Sequence, residues 1–223
     1  MIALLRKDWR LNRGMVFGSI ALFFGLQAMA LLWLFGERWD QWTLAEVRDT
    51  FLGVGVWSLY FSPMLAACYG GIAFAAERQD HSADFLGILP VTRLRIVISK
   101  TIVGLACPVA FWLISVCLVW AIQILNPYML FGIHVFVFAA FACLIMAFGL
   151  AWLLSAFLTS PAAAALISVC TTGALAFTVM ERANRSYHLP EAEAQAMMSQ
   201  TTLWVGIAAF IIGTFYYLRR VEP

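Results

Sequence analysis

Residues 101–180 read TIVGLACPVAFWLISVCLVWAIQILNPYMLFGIHVFVFAAFACLIMAFGLAWLLSAFLTSPAAAALISVCTTGALAFTVM, and this stretch of 80 residues contains no Asp, Glu, Lys or Arg. A helix that crosses a bilayer needs about 20 apolar residues. The stretch is therefore too long for one crossing and has the length of three. Because lipid offers no partner to an unpaired backbone group, we expect these crossings to be helices.

The composition of the whole chain supports this interpretation. Its 223 residues are 63% hydrophobic and 12% charged, whereas soluble domains are about 45–50% apolar and about 25% charged. These values argue against a soluble enzyme and a disordered chain, and a net charge of +2 argues against a nucleic-acid partner. The five cysteines form no C-x-x-C pair, and we expect them to be packing residues within the spans.

The other apolar runs extend the prediction to an all-α polytopic integral membrane protein with six transmembrane helices. Asn126-Pro127 and Thr159-Ser160-Pro161 break the uncharged stretch. The first run continues past Ala28-Met29-Ala30, so we expect an uncleaved span there and not a signal peptide. The expected spans are approximately 14–35, 51–76, 101–125, 128–158, 162–180 and 202–218.

The fourth run is longer than one crossing requires. A straight helix over residues 128–158 would be about 46 Å long, against a hydrocarbon core of about 30 Å. We therefore expect it to tilt, bend or extend past the membrane.

Basic residues near the span ends predict the orientation. With six spans, the leader, the second loop and the C-terminal tail share one side and carry ten of the fourteen Lys and Arg residues. The positive-inside rule places this side in the cytoplasm. We expect a multi-pass protein of the inner (cytoplasmic) membrane with both termini cytoplasmic.

The leader, residues 1–13, has an amphipathic pattern. Ile2, Leu5 and Trp9 repeat at intervals of three and four, while Arg6 and Arg10 fall on another face. This predicts a short interfacial helix on the cytoplasmic surface, with an unstructured basic leader as the alternative.

Two glycines follow the leader at the start of the first span. Gly14 and Gly18 are four residues apart, a spacing that allows close helix approach. They are a possible dimer packing face, and ordinary packing within the chain is the alternative.

The spans contain little that could carry chemistry. His134 is the lone imidazole in a predicted span, and one histidine makes neither a metal site nor an acid–base pair. Lys100-Thr101 ends like a phosphate-binding loop, but residues 95–99 contain no glycine. We predict no catalytic residue, no metal site and no cofactor in this chain.

The second loop, residues 77–100, has an unusual apolar segment. Phe85, Leu86, Ile88 and Leu89 lie together in what should be a solvated loop, and Pro90 ends the segment. Such a patch needs cover, from lipid headgroups or from a partner protein.

This loop resembles a segment of the permease subunits of type-2 ABC exporters, which carry approximately Glu-Arg, then Leu, Leu-Pro-Val-Ser-Arg and Lys. The leader Leu4-Leu5-Arg6-Lys7-Asp8-Trp9-Arg10 is also similar to the start of that family. The matching loop residues are Glu77, Arg78, Leu86, Leu89, Pro90, Val91, Arg93 and Lys100.

The resemblance implies a single permease domain over residues 1–223, with residues 77–100 as a cytoplasmic coupling loop. In the family, a coupling helix in this loop docks on a separate ABC ATPase, and two permeases work with two ATPase copies. It implies a second permease protomer, expected to form a homodimer, with ATP and Mg²⁺ bound to the ATPase. The implied ATPase-coupling residues are Glu77, Arg78, Phe85, Leu86, Leu89, Pro90, Arg93 and Lys100.

One family feature is not expected here, and two other functions stay open. Family members often have short helices between spans five and six, but Pro190, Glu191 and Glu193 indicate a polar loop.

An assembly or maturation permease for cytochromes or metalloenzymes would share this topology. A membrane enzyme acting on lipid would need a polar cluster, which the second loop alone offers through Glu77, Asp80, His81 and Asp84.

Overall fold

The computed structural model describes residues 2–36, 43–79, 92–124, 133–186 and 190–220. Within these ranges the chain is all-α, as predicted, and contains no strand. The six helices are α1 Ile2–Gly36, α2 Leu44–Gln79, α3 Arg93–Ile124, α4 Ile133–Ser155, α5 Pro161–Ser186 and α6 Glu191–Arg220.

Five of these helices, α2 to α6, are long and apolar enough to cross a membrane, which makes the chain a multi-pass membrane protein. α1 contains the predicted first span and is not among the five, so the count of six spans is not confirmed. The candidate spans are Glu46–Arg78, Arg93–Ile122, His134–Ser155, Pro161–Ala183 and Ala192–Arg219.

α1 joins the leader and the first apolar run in one helix of 35 residues. The helix continues through Arg13 and Gly14, so a separate interfacial helix over residues 1–13 is not confirmed. Arg6, Trp9 and Arg10 are exposed. The side chains of Ile2 and Leu5 lie outside the described part of the chain.

Local capping explains where two helices begin. Glu46 Oε2 accepts hydrogen bonds from the Thr43 backbone N–H (2.8 Å) and hydroxyl (3.0 Å), and Thr43 Oγ1 accepts one from the Glu46 N–H (3.3 Å). This is the capping box that starts α2. Ser160 Oγ accepts from the Ala163 N–H at 3.3 Å, and Pro161 takes the first helical position of α5.

Two boundaries differ from the sequence expectation. α4 covers Ile133–Ser155 of the fourth run, 23 residues or about 35 Å, and ends three residues before the predicted limit at 158, while residues 128–132 lie outside the described part of the chain. Residues 191–201, expected to be a polar loop, form the first turns of α6. The Pro190 carbonyl accepts from the Glu193 and Ala194 N–H groups, and acidic residues favour a helix N-terminus.

α4 is the central helix and packs against both α2 and α6. Leu144, Met146 and Trp152 are fully buried. Glycine makes the close approach possible, because a Cβ at Gly149 would collide with the Gly206 carbonyl oxygen. A Cβ at Gly70 would lie 2.7 Å from the Phe148 carbonyl oxygen.

Large apolar side chains cover the outside of the bundle, as expected for a surface that faces lipid or another protein. Five that are more than 60% exposed are Phe17, Phe24, Trp57, Phe177 and Trp204.

Candidate functional site

The candidate site lies at the end of the bundle where α2 finishes and α3 begins. Residues 80–91, the centre of the predicted coupling loop, are outside the described residues, and Phe85, Leu86, Leu89 and Pro90 fall there. The other four predicted coupling residues, Glu77, Arg78, Arg93 and Lys100, are described and flank the loop on both sides.

Glu77 joins three helices through one carboxylate oxygen. Its Oε1 lies 3.3 Å from Lys7 Nζ on α1 and 2.9 Å from Lys100 Nζ on α3. Lys100 also donates to the Ala73 carbonyl and lies 5.5 Å from the ring centroid of Phe74. Glu77 is 7% exposed and the Lys100 side chain 9%, so this ion pair is shielded from water, whereas the Lys7 side chain is 37% exposed.

Arg78 and Arg93 connect the loop ends to two other helices. Arg78 Nη2 donates to the carbonyl of Ser155, the last residue of α4. Arg93 Nη1 donates to the Leu218 carbonyl near the end of α6 at 3.4 Å. A cation near a helix C-terminus satisfies carbonyls without a helical partner. The flanks of the loop are therefore fixed to α1, α4 and α6.

These contacts also show that successive helices run in opposite directions. The N-terminal parts of α1 and α3 meet the C-terminal ends of α2, α4 and α6 at one end of the bundle. We call this the termini end, because it includes both Lys7 and Leu218.

Asp8 and Ser99 belong to the same cluster, although neither is among the predicted site residues. Ser99 Oγ donates to Asp8 Oδ2 at 2.6 Å, and Asn12 Nδ2 donates to the Asp8 backbone carbonyl at 2.8 Å. Asp8 is 6% exposed and Ser99 is fully buried. The sequence did contain an indication of a special role for Asp8, because it is the one acidic residue among residues 1–36.

A cavity of about 310 Å³ opens between α1, α2 and α3 beside this cluster. Tyr69 is one of its lining residues, and the Tyr69 hydroxyl is buried. The lining residues are Lys7, Asp8, Asn12, Tyr69, Ile72, Ala73, Ala76, Glu77, Lys100 and Gly104.

Aromatic packing ties the same end of α2 to α4 and α6. Phe74 stacks on Tyr217 with ring centroids 4.1 Å apart and makes an edge contact with Trp152 at 4.7 Å. Trp152 Nε1 donates to Thr214 Oγ1 at 3.2 Å. Movement of the α2 end would therefore displace side chains of both α4 and α6.

The remaining predicted residues have simpler surroundings. No described atom lies within 4 Å of a Cβ built at Gly14 or Gly18, so neither glycine packs against another of the described helices. The His134 ring lies edge-on to Trp120, 5.3 Å away. Among the described residues, no group of three or more His, Cys, Asp or Glu could hold a metal ion.

Comparison with known proteins gives one family. The family described as "ABC-2 family transporter protein" matches residues 49–218, which is 170 of the 223 residues. No curated protein and no solved structure matches the chain.

Proposed function

The chain belongs to the ABC-2 family of transporter membrane proteins, and on this premise we propose that it is the permease subunit of an ATP-driven exporter. A separate ATPase subunit binds ATP and Mg²⁺ and hydrolyses the nucleotide. The permease provides the path across the membrane and converts movement of the ATPase into movement of its helices.

The proposed topology has six crossings, with α1 as the first and the termini end in the cytoplasm. Two observations support it. At the termini end, the first turns of α1 and α3 lie with the last turns of α2, α4 and α6, as six antiparallel crossings require. The same end carries ten of the fourteen Lys and Arg residues, which is the bias that the positive-inside rule describes.

The observation that carries the proposed mechanism is the position of Glu77. This residue precedes the loop, Lys100 follows it, and Lys7 lies on α1, yet all three meet at one carboxylate oxygen. A push on residues 80–91 would therefore act on α1, α2 and α3 together. Arg78 and Arg93 would pass the same movement to α4 and α6.

We further propose that the working unit contains two copies of this chain and two ATPases. α1 supports this, because Gly14 and Gly18 are both exposed and meet no described atom within 4 Å, and Phe17, which precedes Gly18, is also exposed. Small residues on an uncovered helix face permit close approach of a second helix.

Two substitutions in the loop test the proposal. Leu86→Asp and Leu89→Asp should abolish association with the ATPase and ATP-dependent transport, because a carboxylate cannot enter an apolar docking surface without a large desolvation cost. The chain should still insert and purify normally. Asp80→Ala and Asp84→Ala are the matched controls in the same loop, and both should keep transport.

The measurement is ATPase copurification from mild detergent, together with ATP hydrolysis by the complex and by the chain alone. The proposal fails if the aspartate variants retain the ATPase, or if the isolated chain hydrolyses ATP. Loss of function in Asp80→Ala and Asp84→Ala, with the ATPase still bound, would support a membrane enzyme instead.

A further inference from the structure

The helices α1 and α3 meet along a seam at the termini end, and one side of this seam is covered. The hydrogen bond from Ser99 to Asp8 lies in the seam and fixes which residues meet there. Lys7 and Lys100, which adjoin these two residues in sequence, both reach Glu77 on α2. They therefore mark the inner side of the seam, which packs against α2.

The other side of the seam is open. Successive residues of a helix point about 100° apart, so the two neighbours of a contact residue point to opposite flanks. Trp9 follows Asp8 and Ile98 precedes Ser99, which places both on the flank away from α2. Trp9 is 53% exposed, and Ile98 is exposed as well. We call this flank the outer seam.

Arginines line both walls of the outer seam. On α1, Arg6 lies three residues before Trp9 and Arg13 four residues after it, so they share its side of the helix. On α3, Arg95 lies three residues before Ile98. All three arginines are exposed, and none has an ion-pair or hydrogen-bond partner among the residues that the structure describes.

The outer seam changes from charged to apolar along the helix axes. The candidate span that contains Ile98 begins at Arg93, so this end of α3 lies at a membrane surface. Ile102 lies one turn after Ile98 and is exposed. On α1, Phe17 lies one turn after Arg13 and is also exposed. The change occurs where headgroups give way to acyl chains.

We propose that the outer seam binds the headgroup of an anionic phospholipid. Arg6, Arg13 and Arg95 donate hydrogen bonds to the phosphate oxygens, which a guanidinium holds with two parallel bonds. The acyl chains lie along Ile98 and Ile102. A zwitterionic lipid fits less well, because its ammonium adds a fourth positive charge beside three cations.

The surroundings of the arginines favour a lipid over an acidic protein surface. An exposed tryptophan such as Trp9 is typical of membrane interfaces, where its ring lies among the headgroups and its N–H donates to them. The apolar side chains that continue both walls would offer nothing to an acidic protein segment. Binding requires neither a nucleotide nor a second subunit, so the proposal stands apart from the exporter function.

The test uses the full chain, purified without its partners and delipidated in detergent. Native mass spectrometry measures the binding of phosphatidylglycerol and of phosphatidylcholine with the same acyl chains. Both headgroups contain a phosphate, but only phosphatidylglycerol carries a net negative charge. We expect phosphatidylglycerol to bind about tenfold more tightly. Soluble glycerol 3-phosphate should displace it poorly, because this compound has no acyl chain to bury.

A double variant locates the binding in the outer seam. Arg13→Gln with Arg95→Gln removes one guanidinium from each wall and should weaken phosphatidylglycerol binding about tenfold, with phosphatidylcholine binding nearly unchanged. Both side chains are exposed, so we expect the variant to fold normally. Arg182→Gln with Arg185→Gln is the matched control, because it removes the same charge from exposed positions at the far end of α5.

Each result decides the proposal. A preference for phosphatidylglycerol that the seam variant loses and the control retains supports it. The proposal is overturned if phosphatidylcholine binds as tightly, if the two double variants bind alike, or if glycerol 3-phosphate displaces the lipid at equal concentration. It is also overturned if the seam variant keeps its lipid but no longer copurifies with the ATPase, since the arginines would then contact a protein.

Discussion

Lys100 Nζ lies 2.9 Å from Glu77 Oε1, and both side chains are less than one-tenth exposed. The two residues stand 23 positions apart on opposite sides of the second loop. The same oxygen accepts Lys7 from α1 at 3.3 Å. One buried carboxylate therefore holds together the leader and both flanks of the loop.

Glu77→Gln should destabilise the protein by about 3 kcal/mol, because it leaves a buried lysine without its counter-charge. The free energy of unfolding in detergent, measured by denaturant titration, tests this. Asp49→Asn is the matched control, since the Arg48–Asp49 pair is at the surface with Asp49 52% exposed. It should change stability by less than about 0.5 kcal/mol. Equal effects of the two variants would contradict the role assigned to Glu77.

Gly149→Ala should disrupt the contact between α4 and α6. The new Cβ would collide with the Gly206 carbonyl oxygen, and backbone cannot move aside as a flexible side chain can. We expect a loss of at least about 2 kcal/mol and a smaller monodisperse fraction in detergent. Gly173→Ala meets no atom within 4 Å and should be tolerated. A fully stable Gly149→Ala variant would show that the two helices are farther apart.

The six-span topology predicts which positions face the outside of the cell. In a variant without the five native cysteines, a membrane-impermeant maleimide should label Thr43→Cys and Pro190→Cys in intact cells. Arg6→Cys and Thr92→Cys should be labelled only after lysis. Labelling of Arg6→Cys from outside would mean that α1 does not cross the membrane and that the chain has five spans.

The helical membrane fold followed from the sequence because hydropathy alone determines which segments enter lipid. The predicted break at Thr159-Ser160-Pro161 falls between α4 and α5, whereas α3 begins at Arg93 and α5 continues to Ser186, beyond both ends of the uncharged stretch 101–180. The start of α6 was missed because Pro190-Glu191-Ala192-Glu193 was interpreted as a loop on account of its polarity. Proline followed by acidic residues is equally a helix N-terminal pattern.

The candidate site was only partly predictable. Glu77, Arg78, Arg93 and Lys100 were found because they flank the loop in sequence. The pairing of Asp8 with Ser99 depends on α1 packing against α3, and no local pattern reports a contact 91 residues apart. The continuity of α1 through Gly14 was likewise not predictable. The amphipathic spacing of the leader indicates which face of a helix is apolar, but it does not indicate where the helix ends.

Photo-crosslinking from position 86 tests most directly whether the second loop contacts a separate ATPase. A photoreactive amino acid replaces Leu86 in the full chain, and cells are irradiated before lysis. The permease proposal predicts a crosslink to a protein that carries a nucleotide-binding site, weakened by the additional substitution Leu89→Asp. Crosslinks to lipid alone, or quenching of the probe by an impermeant reagent outside the cell, would contradict it.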